Sequence, residues 1–362
     1  MSDLLSSFEI CGFRAFEYLS LERLGRVNLI VGKNNVGKTS LLEALWVYAN
    51  RGAPPVLWSL LEGREESRPL IGRSPDEEDI ENLLLSLRYL FYGRNELTGA
   101  AQAIRLGPLN SADQSLSIKF TWVENFLDEK GTRRQVEVSQ PGDAPNARPA
   151  LKIAIGPVEY ITGLERRSLQ ETFAFPLQPK CAFLQANGFS PLEISRLWDN
   201  ITLGDSEEDV LAALQLVEPG IERINLVGSY PNARAKERIA MVKRKGLRSP
   251  LPLRSLGEGV NRIFGISLAL ANAKDGLLLV DEIENGLHYS IHQEAWRFIL
   301  DVAHKLNVQV FAATHSWDCV TAFQRAAQAS QQDGLVIRLE NKKDKILPTI
   351  FDKEDKDSLY HD

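Results

Sequence analysis

The stretch Leu29-Ile-Val-Gly-Lys-Asn-Asn-Val-Gly-Lys-Thr-Ser40 leaves few choices for the chain around it. An apolar run from Val27 to Val31 reads as a short buried strand, and a Gly-bounded loop follows it. From Ser40 to Ala49 the apolar residues then recur at helical spacing. Strand, loop and helix with G-x-x-x-x-G-K-T in the loop is the context a phosphate-binding P-loop needs. Gly32 and Gly37 permit backbone angles and a close approach that a side chain would block. The N–H groups of Asn34, Asn35, Val36 and Ser40, with the positive end of the next helix, are expected to surround phosphate oxygens. Lys38 is expected to reach the β- and γ-phosphates, and the Thr39 hydroxyl to help hold Mg²⁺.

Two further apolar runs end in chemistry that suits this loop. Gly276-Leu-Leu-Leu-Val-Asp281-Glu282 reads as a buried strand closing on two acids. Beside a P-loop, Asp281 is placed to hold the Mg²⁺ shell and Glu282 to accept a proton from an attacking water. Val308 to Ser316 reads as a third buried strand, and His315 at its end is placed to contact the γ-phosphate. Between the P-loop and the acidic strand, Arg254-Ser-Leu-Gly-Glu-Gly259 opens an apolar helix over Ile263–Ala273. Ser and Gly at a helix N-terminus make a second anion site, which suggests a phosphate bound from another subunit.

The chain has 362 residues, enough for a large core and two or three structural units. Its formal charge of −6 gives no general pull toward nucleic acid or anionic membranes, though a local basic groove stays possible. Cys11, Cys181 and Cys319 are too few and too widely spaced for a disulfide framework or a zinc site. They read as apolar fillers in a reducing compartment. No signal-peptide pattern and no long apolar run is present, so a cytoplasmic protein is expected.

Elsewhere the pattern is coarser. Phe8–Ile10 and Tyr18–Leu21 read as strands around a turn, and Arg14 between them is either a surface residue or a nucleotide contact. Residues 51–82 read as a Pro- and Gly-punctuated connector leading to a helix at 77–92, with Asp76–Asp79 as a solvated helix start. Leu116–Phe120, Gln135–Val138 and Leu151–Ile155 alternate as strands of an inserted antiparallel sheet. Cys181–Leu184 reads as another strand and 191–217 as helical. Residues 234–254 hold Arg234, Lys236, Arg238, Lys243, Arg244, Lys245, Arg248 and Arg254 against Glu237 alone. This is either a solvated hairpin around a Lys-Arg-Lys-Gly turn or a phosphate-contacting patch for DNA or RNA.

Taken in order, GKNNVGKTSLLEAL, SLGEG, LLLVDEIENGLH and ATHS resemble the ABC-type ATPases of the chromosome-maintenance and recombination-repair group. Within that group the chain is similar to the overcoming-lysogenization-defect (OLD) type, in the broad AAA-15/AAA-21 class, and the opening FRAFEYLSLERLGRVNLIVGKNNVGKTS is typical of it. The resemblance covers about 1–50 and 180–340. It implies an α/β fold: an ABC-type P-loop NTPase with a mixed central sheet flanked by helices, an antiparallel β insertion and a helical subdomain. The expected divisions are 1–50, 51–180, 181–250, 251–333 and 334–362. The resemblance also implies that Ser255, Gly257 and Glu258 form a signature motif touching the γ-phosphate across a head-to-tail homodimer. Leu256 stands where many relatives carry Gly. Glu284 and Asn285 fall at the D-loop, His315 at the switch histidine, and Gln185 is the one candidate for the Q-loop. OLD-type proteins carry a Toprim nuclease domain after the histidine strand; here 47 residues follow His315, with a hairpin pairing Gly334–Glu340 and Ile346–Phe351.

The expected function is an Mg²⁺-dependent, ATP-hydrolysing switch subunit that dimerises around ATP and controls a separate nuclease or toxin in defence against phage or plasmid DNA. The alternative is a DNA-repair or chromosome-associated ATPase that binds DNA through 234–254. A non-hydrolysing scaffold is the third reading, and Glu282 argues against it. ATP versus GTP stays open.

Overall fold

The computed structural model describes residues 4–68, 77–97, 102–127, 133–138, 140, 143–144, 146–163, 181–228, 238–330, 334–343 and 345–352. The chain begins β1 (Phe8–Phe13), β2 (Phe16–Leu21), β3 (Val27–Val31), α1 (Lys38–Ala49), α2 (Pro54–Gly63) and α3 (Glu77–Leu87). Next come β4 (Ala103–Gly107), β5 (Leu116–Leu127), β6 (Arg133–Val138), β7 (Arg148–Ile155), β8 (Val158–Gly163) and β9 (Cys181–Leu184). Then follow α4 (Pro191–Asp199), α5 (Asp205–Val217), β10 (Ile221–Gly228), β11 (Arg238–Arg244), β12 (Leu251–Pro252) and α6 (Glu258–Asn272). The last elements are β13 (Leu277–Val280), α7 (His292–Lys305), β14 (Gln309–Thr314), α8 (Trp317–Ala329), β15 (Gly334–Lys342) and β16 (Lys345–Phe351).

Strands β3, β13 and β14 are buried along their whole length and mostly apolar because both faces of their sheet are covered. Val27, Leu29 and Val31 face the layer of α6, α7 and α8, while Ile30 faces the layer of α1. The sheet order is β16-β15-β3-β14-β13-β9, with every pairing parallel except β15–β16. The histidine strand therefore lies between the P-loop strand and the acidic strand. The expected C-terminal hairpin forms, and its first strand sits inside this sheet against β3.

A second, antiparallel sheet runs β2-β1-β4-β5-β7-β8, with β6 on β5. Helix α1 is sandwiched between the two sheets and buries Leu41, Leu42, Ala44, Leu45 and Val47. A helix apolar on nearly every side is stable only in such a place. The inserted sheet is thus not free-standing. Its strand β4 pairs with β1, so the division expected at residue 50 cuts through one sheet and one core. A third, smaller core joins α4, α5 and β10–β12 to the outer side of α6.

Several local expectations need correction. Residues 54–63, read as connector, form α2: Pro54 and Pro55 occupy its first turn, where the absent N–H costs nothing, and Leu57, Leu60 and Leu61 are buried. The 77–92 helix ends at Leu87, and its Asp79 is buried rather than solvated; Asp76 lies outside the described residues. The 191–217 run is two helices, the first opened by a Ser190/Glu193 capping box. Lys243 and Arg244 belong to β11 rather than to the turn after it. All three cysteines are free, and Cys319 is the buried one. No helix among the described residues is long and apolar enough to cross a membrane.

Candidate nucleotide-hydrolysis site

Strands β3, β14, β13 and β9 run parallel, so their C-terminal ends share one edge. That edge carries the P-loop, His315, Asp281–Glu282 and Gln185, the usual place for a ligand in such a sheet.

The P-loop leaves β3 at Gly32, where φ is 151° and an added Cβ would lie 2.6 Å from the Leu339 carbonyl of β15. Asn34 and Asn35 are exposed, Val36 is buried, and α1 starts at Lys38, two residues before the sequence pattern suggests. Ser40 is buried in its first turn. Lys38 Nζ donates to the carbonyls of Gly32 (2.8 Å) and Lys33 (2.9 Å). Burial lowers its pKa, and Asp281, Glu284 and Glu282 pull it back up. Thr39 Oγ1 donates to Asp281 Oδ2 at 2.8 Å, across 242 residues of chain. Burial raises the Asp281 pKa, opposed by that hydrogen bond. A hydroxyl and a carboxylate are hard oxygen donors that suit Mg²⁺, which takes few protein ligands beside phosphate oxygens and water.

Past β13 the chain turns sharply. Glu282 has φ of 46°, left-handed for a non-Gly residue. Its Oε2 accepts from Asn285 Nδ2 at 2.8 Å. Glu284 reaches the histidine strand: its Oε1 accepts from the His315 N–H (3.0 Å) and the Ser316 N–H (3.2 Å), and lies 3.2 Å from His315 Nδ1. The residues expected at the D-loop thus bind the general-base candidate and the switch-histidine candidate.

Ser255, Gly257 and Glu258 are exposed at the start of α6, with φ of 101° at Gly257. This loop rests on the D-loop: a Cβ on Gly286 would lie 2.8 Å from the Glu258 Cβ. Arg262, four residues into α6, belongs to none of the sequence motifs and yet reaches this site. Arg262 is 6% exposed, and its Nη1 donates to the Gln185 carbonyl (2.9 Å). Its Nη2 donates to the carbonyls of Asp281 and Glu282. Burial lowers its pKa to about 10, against the pull of Asp281, Glu284 and Glu282. One signal was available: Arg262 is the sole charged residue between Val260 and Ala273.

Arg14 is drawn elsewhere. Its Nε lies 3.0 Å from Glu43 Oε2 and its Nη1 2.8 Å from Glu66 Oε2, all inside the core between the sheets. Arg64 chelates the same Glu43 at 2.8 and 3.0 Å. Burial raises the Glu43 pKa and both arginines oppose it. In the basic segment, Arg234 and Lys236 lie outside the described residues. Arg238 pairs with Asp199, Lys243 with Glu222 and Arg244 with Glu218, so neighbouring elements supply the acids that the segment itself lacks. Lys245, Arg248 and Arg254 are exposed.

A family model described as an AAA ATPase domain (AAA-15) matches residues 4–83 and 219–320, half of the chain. The chain belongs to the AAA-15 ATPase family. Both matched segments converge on the edge just described. An ATP/GTP phosphatase of Helicobacter pylori is 23% identical over 342 residues, covering 88% of this chain and 86% of that protein. Among solved structures, an SMC head bound to the C-winged helix domain of ScpA covers 97% of this AAA-15 chain and 98% of its own, with a TM-score of 0.52 and 13% identity. That likeness concerns the fold, and the fold is the expected ABC-type P-loop arrangement.

Proposed function

We propose that this AAA-15 ATPase is a switch subunit in which two copies close head to tail around Mg²⁺-ATP and reopen after hydrolysis. One observation carries the reading. Ser255, Gly257 and Glu258 stand exposed at the N-terminus of α6, while the P-loop already has the N-terminus of α1. A second anion-binding helix end with no phosphate of its own chain to serve suits the phosphate of a partner. Lys38 and the opposing Ser255 would stabilise charge developing on the γ-phosphate. Thr39 and Asp281 would hold Mg²⁺, whose charge offsets that of the phosphate oxygens. Glu282, fixed by Asn285, would take the proton of the attacking water, and His315, tied to Glu284, would contact the γ-phosphate.

The OLD-type resemblance supports a separate effector, a nuclease or toxin, as the output, acting against phage or plasmid DNA. The test of the switch is Glu282→Gln in saturating Mg²⁺-ATP. Nucleotide binding should persist, kcat should fall by roughly 10²–10⁴, and light scattering should report twice the monomer mass. A variant that stays monomeric under those conditions removes the clasp. Co-purification with neighbouring gene products identifies the effector.

A second reading, direct DNA binding, is favoured by the exposed run of Lys245, Arg248 and Arg254. It requires duplex affinity that drops steeply with salt and is lost on charge reversal at Lys245 and Arg248.

A further inference from the structure

Arg262 sits where neither phosphate binding nor water activation calls for a cation. The neighbours of Arg262 on α6, Ile263, Phe264 and Ile266, are all buried, and an apolar side chain at its position would cover the same core. Withdrawing a guanidinium from water is costly unless its donors meet acceptors. Here three backbone carbonyls converge on it from two strand ends, Gln185 after β9 and Asp281 and Glu282 after β13. Carbonyls at strand ends have left the ladder and need donors from elsewhere. A planar fork can serve three divergent acceptors at once, and an ammonium cannot match that geometry.

We propose that Arg262 is a positioning residue for hydrolysis, clamping the Asp281–Glu282 turn from helix α6 so that the Glu282 carboxylate is held toward the nucleotide. The left-handed backbone at Glu282 persists only where its surroundings over-determine it, and two of Arg262's bonds fall on the carbonyls of that turn. A misplacement of about 1 Å at a reacting group costs on the order of a hundredfold in rate. Arg262 also places a positive charge beside Asp281, Glu282 and Glu284, three carboxylates gathered in one site. The inference rests on Glu282 acting as the general base.

The test uses the full chain with Arg262→Gln and Arg262→Lys, each combined with Glu282→Gln, in single-turnover ATP hydrolysis alongside equilibrium ATP binding and thermal melting. Arg262→Gln should lower the rate by about 30-fold or more with ATP affinity within about threefold, and Arg262→Lys should fall between it and the parent. In the Glu282→Gln background, Arg262→Gln should add little further loss, because both changes act through one carboxylate. Losses that multiply in the double variant, or a folded Arg262→Gln chain that hydrolyses at the parent rate, would overturn the proposal. Should Arg262→Gln fail to fold, a normally melting Arg262→Lys chain decides by its rate: slowed supports the clamp, unchanged sinks it. Glu282→Gln alone reports on the general base, so failure of that assignment is read separately from failure of the clamp.

Discussion

Glu282 and Cys319 show how differently one fold treats two reactive side chains. Glu282 leaves its strand through a left-handed turn, and its carboxylate accepts a hydrogen bond from Asn285. Cys319, in the first turn of α8, is withdrawn from water, and its thiol is pushed up to about 12 by that burial and by the charge of Glu284. The folded chain therefore keeps this proton above pH 9.0, the ordinary thiol value, while the unfolded chain gives it up. Stability contributed by the buried thiol is complete below that pH and is lost as pH rises toward about 12. The slope is about 1.4 kcal/mol per pH unit from this one group. Urea midpoints at pH 9, 10 and 11 should fall less steeply for Cys319→Ala than for the parent, and the native thiol should resist alkylation across that range. The motif around Lys38 was legible because its chemistry is local. Nothing in the residues near Arg14 foretold that Glu43 and Glu66 would claim it.

At the level of elements, Arg14 ties the β1–β2 turn to α1 and to the chain just past α2. Its side chain and that of Glu43 are each 4% exposed, so solvent does not screen the pair. Arg14→Ala leaves the buried Glu43 to Arg64 alone and should destabilise the chain by roughly 1–3 kcal/mol. ATP affinity of the folded variant should stay within about threefold, since the effect is on packing. A large loss of affinity with unchanged melting would instead return Arg14 to the nucleotide. Helix α2 shows why such elements escape a reading by punctuation. Pro54-Pro55 breaks a helix when it falls inside one and starts a helix when it falls in the first turn. Only the burial of Leu57, Leu60 and Leu61 decides which applies.

For the whole molecule, the proposed head-to-tail pairing would make each hydrolytic site composite, with the P-loop of one copy facing the signature loop of the other. Lys38→Ala and Ser255→Arg should each abolish turnover as homodimers. Mixed in equal amounts, they should recover about a quarter of parent activity: random pairing makes half the dimers mixed, and each of these holds one intact site of two. A mixture as inactive as its components would exclude sites shared between copies. By itself the sequence determined the P-loop, the apolar strands that end in Asp281–Glu282 and His315, and hence the class of fold, because each is written in adjacent residues whose spacing matches one backbone period. The tertiary structure decided the strand order with β14 between β3 and β13, the union of the inserted sheet with β1 and β2, and the clamp of Arg262 on three carbonyls. Those depend on contacts between residues far apart in the chain, as Thr39 and Asp281 are across 242 positions, and no local period records which distant partner wins.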